Sequence, residues 1–270
     1  MTHKLFCTLS TILFGVAAWI APLKGHAQQA SVNIIGGEFA PRYAGQDVTF
    51  IETDEYGCSG TLIGSREVLT AAHCIANGPG PSGYRVYVGR QWMSVQSAWY
   101  HARYDDSQPA YRMGKYDLGM LILSQPVTTV PPIPVLRGSR IARGTKVAIA
   151  GYGTNERSGS PGRSFLDDFK IGLSRVTEAN GHTLNCFHRA FNASTCSGDS
   201  GGPVMVAYSK KGLAVVGVIS SGTNRLRNDT CYLYGGGFFS TTDLQSPASR
   251  SFLSNFKGVR YARMQLRRKR

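Results

Sequence analysis

The chain has 270 residues, 42% of them hydrophobic and 17% charged, with 30 Lys and Arg against 16 Asp and Glu. That apolar content excludes a disordered chain, and the 32 glycines follow no every-third-residue pattern, which excludes collagen. A chain this long can bury a large core, and its net charge of +14 raises nucleic acid, acidic polysaccharide and membrane surface as contacts without establishing any of them.

The chain opens on an address. His3 and Lys4 precede an apolar run that is densest from Ile12 to Ile20, and Gly25-His26-Ala27 supplies small residues where signal peptidase reads. Residues 1–27 are therefore expected to be a secretory signal cut after Ala27. The competing reading, a membrane anchor, asks for about 20 apolar residues, and the run is shorter. No later stretch is long and apolar enough to cross a bilayer. The expected location is secreted or periplasmic. Cys7 would leave with the leader, so Cys58, Cys74, Cys186, Cys196 and Cys231 remain as disulfide candidates. Their number is odd, so at least one is free or pairs between chains.

Short runs rich in Val and Ile then recur between turn residues. They are Val48 to Ile51, Gly60 to Ile63, Glu67 to Thr70, Tyr84 to Val88, Leu118 to Leu123, Val147 to Ala150, Val204 to Ala207 and Leu213 to Ile219. Many short strands with Gly, Pro, Asn and Ser between them predict an antiparallel all-β sandwich or barrel. Thr128 to Pro134 is the linker candidate, because its prolines cannot sit in central strands. From Ser249 onward Phe252, Leu253 and Phe256 predict one face of a short C-terminal helix.

Three segments carry the chemistry: Leu69-Thr70-Ala71-Ala72-His73-Cys74, Asp117-Leu118-Gly119-Met120-Leu121, and Thr195-Cys196-Ser197-Gly198-Asp199-Ser200-Gly201-Gly202-Pro203-Val204. Together with Ile34-Ile35-Gly36-Gly37 and Gly151-Tyr152-Gly153, the chain from Ile34 to about Phe256 resembles the chymotrypsin/trypsin family of serine endopeptidases. The order His, Asp, Ser is that of this family and not of subtilisins or α/β-hydrolases. The resemblance implies two six-stranded antiparallel β-barrels, about 34–128 and 134–245, with the active site in the cleft between them.

A serine hydroxyl is a poor nucleophile at neutral pH and needs a base within hydrogen-bond reach. In the implied triad His73 takes the proton of Ser200, and Asp117 fixes the imidazole tautomer and stabilises its cation. The N–H groups of Gly198 and Ser200 would form the oxyanion hole, one such donor being worth about 3–4 kcal/mol in the transition state. Ser220 matches a serine that bonds the triad aspartate. The resemblance also implies that cutting before Ile34 frees an amine that pairs with Asp199. Residues 28–33 would then be a propeptide, and an activating protease becomes a partner. Asn33 stands where many relatives have Arg or Lys, so that protease is expected not to be trypsin-like. The implied disulfides are Cys58–Cys74 and Cys196–Cys231, with Cys186 left as a buried, inert thiol.

For specificity, the resemblance puts Ser194 on the pocket floor and Ser220, Gly222 and Gly237 on its walls. An uncharged floor between small walls favours Phe, Tyr, Leu or Met before the scissile bond of a protein or peptide substrate. No cofactor is implied. Metal binding lacks support too, since no carboxylate occurs between Glu67 and Asp105, where some relatives carry calcium. His101, His182 and His188 read as surface residues. Lys257, Arg260, Arg263, Arg267, Arg268, Lys269 and Arg270 form a basic tail, 257–270, with no acid. That tail reads either as a solvated end or as a contact for polyanions or anionic membranes. The rival functions are a non-enzymatic polyanion-binding relative of the same fold and an enzyme restricted to esters. Oligomeric state is not legible.

Overall fold

The computed structural model describes residues 38–39, 46–52, 57–107, 114–153, 169–187, 195–209, 212–223 and 238–264. A short strand, β1 (Glu38–Phe39), comes first. The next six are β2 (Val48–Glu52), β3 (Gly57–Leu62), β4 (Glu67–Thr70), β5 (Arg85–Val88), β6 (Gln91–Tyr100) and β7 (Gly119–Leu123). They close into a barrel in the order β2-β3-β4-β7-β6-β5, every pairing antiparallel. After β8 (Val135–Leu136) come β9 (Lys146–Gly151), β10 (Lys170–Ala179), β11 (Thr183–Phe187), β12 (Pro203–Ser209), β13 (Gly212–Thr223) and β14 (Phe238–Asp243). The last elements are the helix α1 (Pro247–Leu253) and β15 (Tyr261–Ala262).

The run β12-β9-β10-β11-β14-β13 closes through the β12–β13 pairing into a second antiparallel barrel of six strands. The two-barrel, all-β architecture expected from the sequence is therefore the one observed. Strand β1 pairs with β10, so the first described strand joins the sheet of the second barrel. Strands β8 and β15 extend that sheet through parallel pairings.

The two-residue period of a strand decides which core each side chain enters. In β9, Val147 and Ile149 point into the second barrel, while Ala148 and Ala150 join the core shared with the first. Likewise Val204 and Val206 of β12 point inward and Met205 points to the shared core. Both faces of these strands are buried, which is why their sequences read as unbroken apolar runs. The predicted linker is pinned rather than loose: the Ile133 N–H donates to Leu62 O at 2.9 Å, and Val130 and Ile133 are buried.

Helix α1 begins earlier than the apolar pattern suggests. Ser246 is its N-cap, accepting the Ser249 N–H at 3.1 Å, and Pro247 occupies the first turn. The helix stops at Leu253, so Phe256 reaches Phe252 from the following turn, ring centroids 5.2 Å apart. His101 is a correction to the surface reading. It is buried, stacked on Tyr116 at 4.8 Å and packed near Phe252, and burial lowers its pKa. His182 is exposed as expected, and His188 lies outside the described residues.

Candidate active site

Strands β4 and β7 pair with Thr70 opposite Gly119. That register sets the chain leaving β4 beside the chain entering β7. His73 follows in the single turn Ala72–Cys74, and Asp117 sits two residues ahead of Gly119. Asp117 is 0% exposed. Its Oδ1 accepts the His73 backbone N–H at 2.8 Å, and its Oδ2 lies 2.7 Å from His73 Nδ1. The second barrel completes the cage. Ser220 Oγ donates to Asp117 Oδ2 at 2.5 Å, and Thr242 Oγ1 donates to the Asp117 backbone oxygen at 2.8 Å.

An ionised carboxylate can only accept, so Nδ1, lying against it, carries the proton of the neutral imidazole and Nε2 is the acceptor. Burial alone would depress the His73 pKa, but the charge and hydrogen bond of Asp117 outweigh it and hold the pKa above 6.5. Ser220 reaches Asp117 because of a bulge. The β13–β14 register slips between Ile219 and Ser221, and the intervening serine is re-aimed.

Ser200 lies in the turn that precedes β12. That turn is held by Asp199 N–H to Cys196 O at 3.1 Å and Gly202 N–H to Asp199 O at 2.9 Å. Its tight path needs Gly201 at φ +83°, where an added Cβ would fall 2.2 Å from Ser59 O and from Thr70 Oγ1. Strand β3 of the first barrel grips the turn on both sides of Asp199. The Ser59 N–H donates to Ser200 O at 2.8 Å, and Ser59 Oγ donates to Gly198 O at 2.8 Å while accepting the Tyr152 N–H at 2.9 Å. The disulfide Cys58–Cys74 joins β3 to the His73 turn, and Cys74 Sγ lies 3.8 Å from Ser200 O. The loop it closes spans 16 residues, a constraint worth about 3 kcal/mol by loop-closure entropy.

These contacts set the Ser200 turn against β3 and against Cys74, the neighbour of His73. Among the described residues no hydrogen bond joins Ser200 Oγ to His73 Nε2, and neither the Gly198 nor the Ser200 N–H is engaged. Such contacts often tighten only in the Michaelis complex.

Asp199 is fully buried beneath the turn. Its Oδ1 accepts the Gly153 N–H at 2.9 Å and its Oδ2 the Cys196 N–H at 2.8 Å. Burial pushes its carboxyl pKa up to about 7; the two N–H bonds and the charge of Lys170 act in the opposite direction. Cys196 is disulfide-bonded, and Cys186 is a free, buried thiol that burial pushes up to about 12. Gly222 lies on β13 opposite Phe239 and is exposed. Ile34, Ser194, Cys231 and Gly237 lie outside the described residues. Cys58, His73 and Cys74 cluster closely enough to suggest a metal, but the two sulfurs are bonded to each other and Nδ1 faces Asp117.

Two residues at this site carry no signal in the sequence. Ser59 and Thr242 sit in strands far from any motif. Their roles depend on register between distant strands.

The trypsin family model matches residues 34–236 of this chain. Human kallikrein-12 is 29% identical over 216 residues, covering 72% of this chain and 84% of its own. Chymotrypsin-like elastase family member 1 of Macaca fascicularis is 27% identical over 245 residues, covering 78% and 90%. The snake venom serine protease salmonase of Gloydius brevicauda is 27% identical over 219 residues, covering 71% and 79%. Among solved structures, neuropsin, a serine protease expressed in the limbic system of mouse brain, superposes with a TM-score of 0.61. It is 22% identical, and the match covers 81% of this chain and 97% of that one. The chain belongs to the trypsin family of serine proteases.

Proposed function

We propose that the chain is an exported serine endopeptidase that hydrolyses peptide bonds through an acyl-enzyme. The observation that carries this reading is the buried Asp117 holding His73 by two contacts, one of them at Nδ1 so that Nε2 is left as the acceptor. In the forward step His73 Nε2 takes the Ser200 proton as Oγ attacks the scissile carbonyl, and the imidazolium then protonates the leaving amine. Gly198 and Ser200 N–H groups receive the developing oxyanion. Water reverses the sequence and releases the acid.

Freeing Ile34 to pair with Asp199 is the activation step of this reading, with residues 28–33 as propeptide and 1–27 as signal. The disulfide Cys58–Cys74 suits an oxidising compartment, secreted or periplasmic. Specificity rests on Ser194, Ser220, Gly222 and Gly237, and the side chain accepted is large and apolar or aromatic. A groove of about 770 Å³ lined by Arg137, Arg250 and Arg263 lies where the chain enters its basic tail, which supports polyanion contact as an accessory property.

The test is labelling by a phosphonate serine-hydrolase probe, with Ser200→Ala as the blank, followed by digestion of casein and a peptide library. Labelling of Ser200 with cleavage after Phe, Tyr, Leu or Met is expected. No labelling would favour a binding-only relative, hydrolysis of esters alone would favour an esterase, and cleavage after Arg or Lys would overturn the neutral pocket.

A further inference from the structure

Exposed hydrophobic side chains scattered singly need no explanation, whereas a cluster of them marks an interaction surface. Of the seven large exposed hydrophobics among the described residues, four gather beside helix α1: Trp99 (56% exposed), Tyr100 (47%), Tyr261 (40%) and Met264 (41%). Trp99 and Tyr100 line a groove of about 580 Å³ together with Phe252 and Asn255. Met264 lines the groove of about 770 Å³ that holds Arg137, Arg250 and Arg263. The Arg137 guanidinium lies 4.9 Å from the centre of the Tyr261 ring. The two grooves meet at Ser251 of α1, which lines both.

The charge on this face has one sign. Arg103 lines the aromatic groove, and no acidic residue lines either groove. Arg103, Arg137, Arg250 and Arg263 are exposed and stand in no ion pair; the two ion pairs among the described residues are His73–Asp117 and Arg85–Glu52. Arg103 donates one N–H to the Tyr116 hydroxyl at 3.2 Å. Asp243, which feels the Arg250 charge, is buried and accepts the Gln245 N–H at 2.8 Å. Met264 is the last described residue, and the six that follow it in the sequence include Arg267, Arg268, Lys269 and Arg270 and no acid.

A sulfate- or phosphate-rich polymer in solution answers the arginines but leaves Met264 and the aromatic rim in water. An anionic bilayer engages both. Guanidinium groups take the headgroup phosphates, and Trp and Tyr rings sit at headgroup level. The Trp99 indole N–H donates to Ser97 Oγ at 3.0 Å, so the ring carries a partner for its donor into an apolar layer.

We propose that the face formed by these two grooves along helix α1 docks on the surface of an anionic lipid bilayer. The arginines hold the phosphates, and Trp99, Tyr100 and Met264 enter the interface. This names the partner behind the polyanion contact of the arginine groove, and it rests on that reading. Docked there, the chain meets substrates that are themselves held at a membrane.

The test uses the exported protein, its N-terminus sequenced to confirm that the apolar leader is gone. With the leader removed, Trp92→Phe leaves Trp99 as the one tryptophan of the chain. Co-sedimentation is measured with vesicles of phosphatidylcholine and with vesicles that also carry phosphatidylglycerol. Binding to the anionic vesicles alone is expected, with Trp99 emission shifted to the blue and quenched by brominated lipid. Arg137→Gln, Arg250→Gln and Arg263→Gln together should lower partitioning about 100-fold, at about fivefold for each basic residue near a bilayer. Trp99→Ser with Tyr100→Ser should lower it about tenfold and leave the denaturant midpoint unchanged.

Where the triple variant does not fold, Arg263→Gln alone decides: a loss of about fivefold supports the proposal, and no loss overturns it. Equal binding to neutral vesicles, or sedimentation without quenching of Trp99, also overturns it. Retention on heparin without vesicle binding overturns it and leaves the polyanion reading standing. Binding that survives the arginine substitutions but vanishes on removal of residues 265–270 belongs to the tail, and this too overturns the proposal. Binding to neither heparin nor vesicles overturns both readings.

Discussion

Asp117→Asn tests the site at its most constrained atom. In the native arrangement Asp117 Oδ1 accepts the His73 backbone N–H at 2.8 Å, while Oδ2 faces His73 Nδ1 at 2.7 Å and receives Ser220 Oγ at 2.5 Å. An asparagine must keep its oxygen at the Oδ1 position, because the backbone N–H cannot turn away. Its amide NH₂ is then forced against Nδ1. The imidazole responds by carrying its proton on Nε2, the wrong nitrogen to accept one from Ser200. A triad with the wrong tautomer loses about 10⁴ in kcat, or about 5.4 kcal/mol at about 1.36 kcal/mol per decade.

The pH profile supplies an independent readout. The native His73 pKa lies above 6.5 because the Asp117 interactions outweigh burial. Catalysis needs the neutral ring, so activity falls as pH drops through that raised value. Without the carboxylate, burial dominates, and the acid limb of kcat/KM moves to lower pH. Stability moves as well. Raised affinity for a proton in the folded state contributes stability that is full below 6.5 and lost as pH rises through the folded pKa; the variant loses that contribution. Ester hydrolysis from pH 5 to 10, with denaturant midpoints at both ends, measures all three effects. Activity within tenfold of the parent, or an acid limb that does not move down, would refute the reasoning.

Three further outcomes are expected. Ser59→Ala removes the hydroxyl that ties Gly198 O to the Tyr152 N–H, so kcat should fall about 10- to 100-fold with KM nearly unchanged, the cost of an interaction worth about 1–3 kcal/mol; steady-state kinetics on a peptide substrate decide it. Gly201→Ala meets both a left-handed backbone and a Cβ 2.2 Å from Ser59 O, so unfolding free energy should drop by at least about 2 kcal/mol, and an unchanged denaturant midpoint would count against the observed turn. Cys186, buried with its thiol pKa pushed up to about 12, should react with a thiol reagent only as fast as the chain unfolds; rapid labelling of native protein would contradict its burial.

What the sequence made legible follows from where the physics is local. The strands with both faces buried, such as Val147 to Ala150 and Leu213 to Ile219, announce themselves as apolar runs, and the structure has strands there. Strand β10 does not, because Lys170, Ser174, Arg175 and Glu178 interrupt it, and its assignment rests on pairing with β9 and β11. Ser200 stands out because its neighbour must be small: a Cβ at 201 would fall 2.2 Å from Ser59 O, so the turn takes glycine there. Ser220 was legible through the resemblance, yet the bulge that aims it is visible only in the β13–β14 register. His101 misled for the opposite reason. A histidine in a polar stretch looks exposed until Tyr116 and Phe252, distant in sequence, close over it.

Ser59 and Thr242 share a deeper reason for silence. Each acts through contacts between the barrels, and a serine or threonine in a strand is unremarkable by composition. The glycines at 151 and 153 make the same point from the other side. They resemble the family as a short motif, but their physical reason is a carboxylate that sits where their side chains would be. The fold and the contact between His73 and Asp117 were thus legible from residue types and their order. The cage around Asp117 and the grip of β3 on the Ser200 turn required knowing which strand faces which.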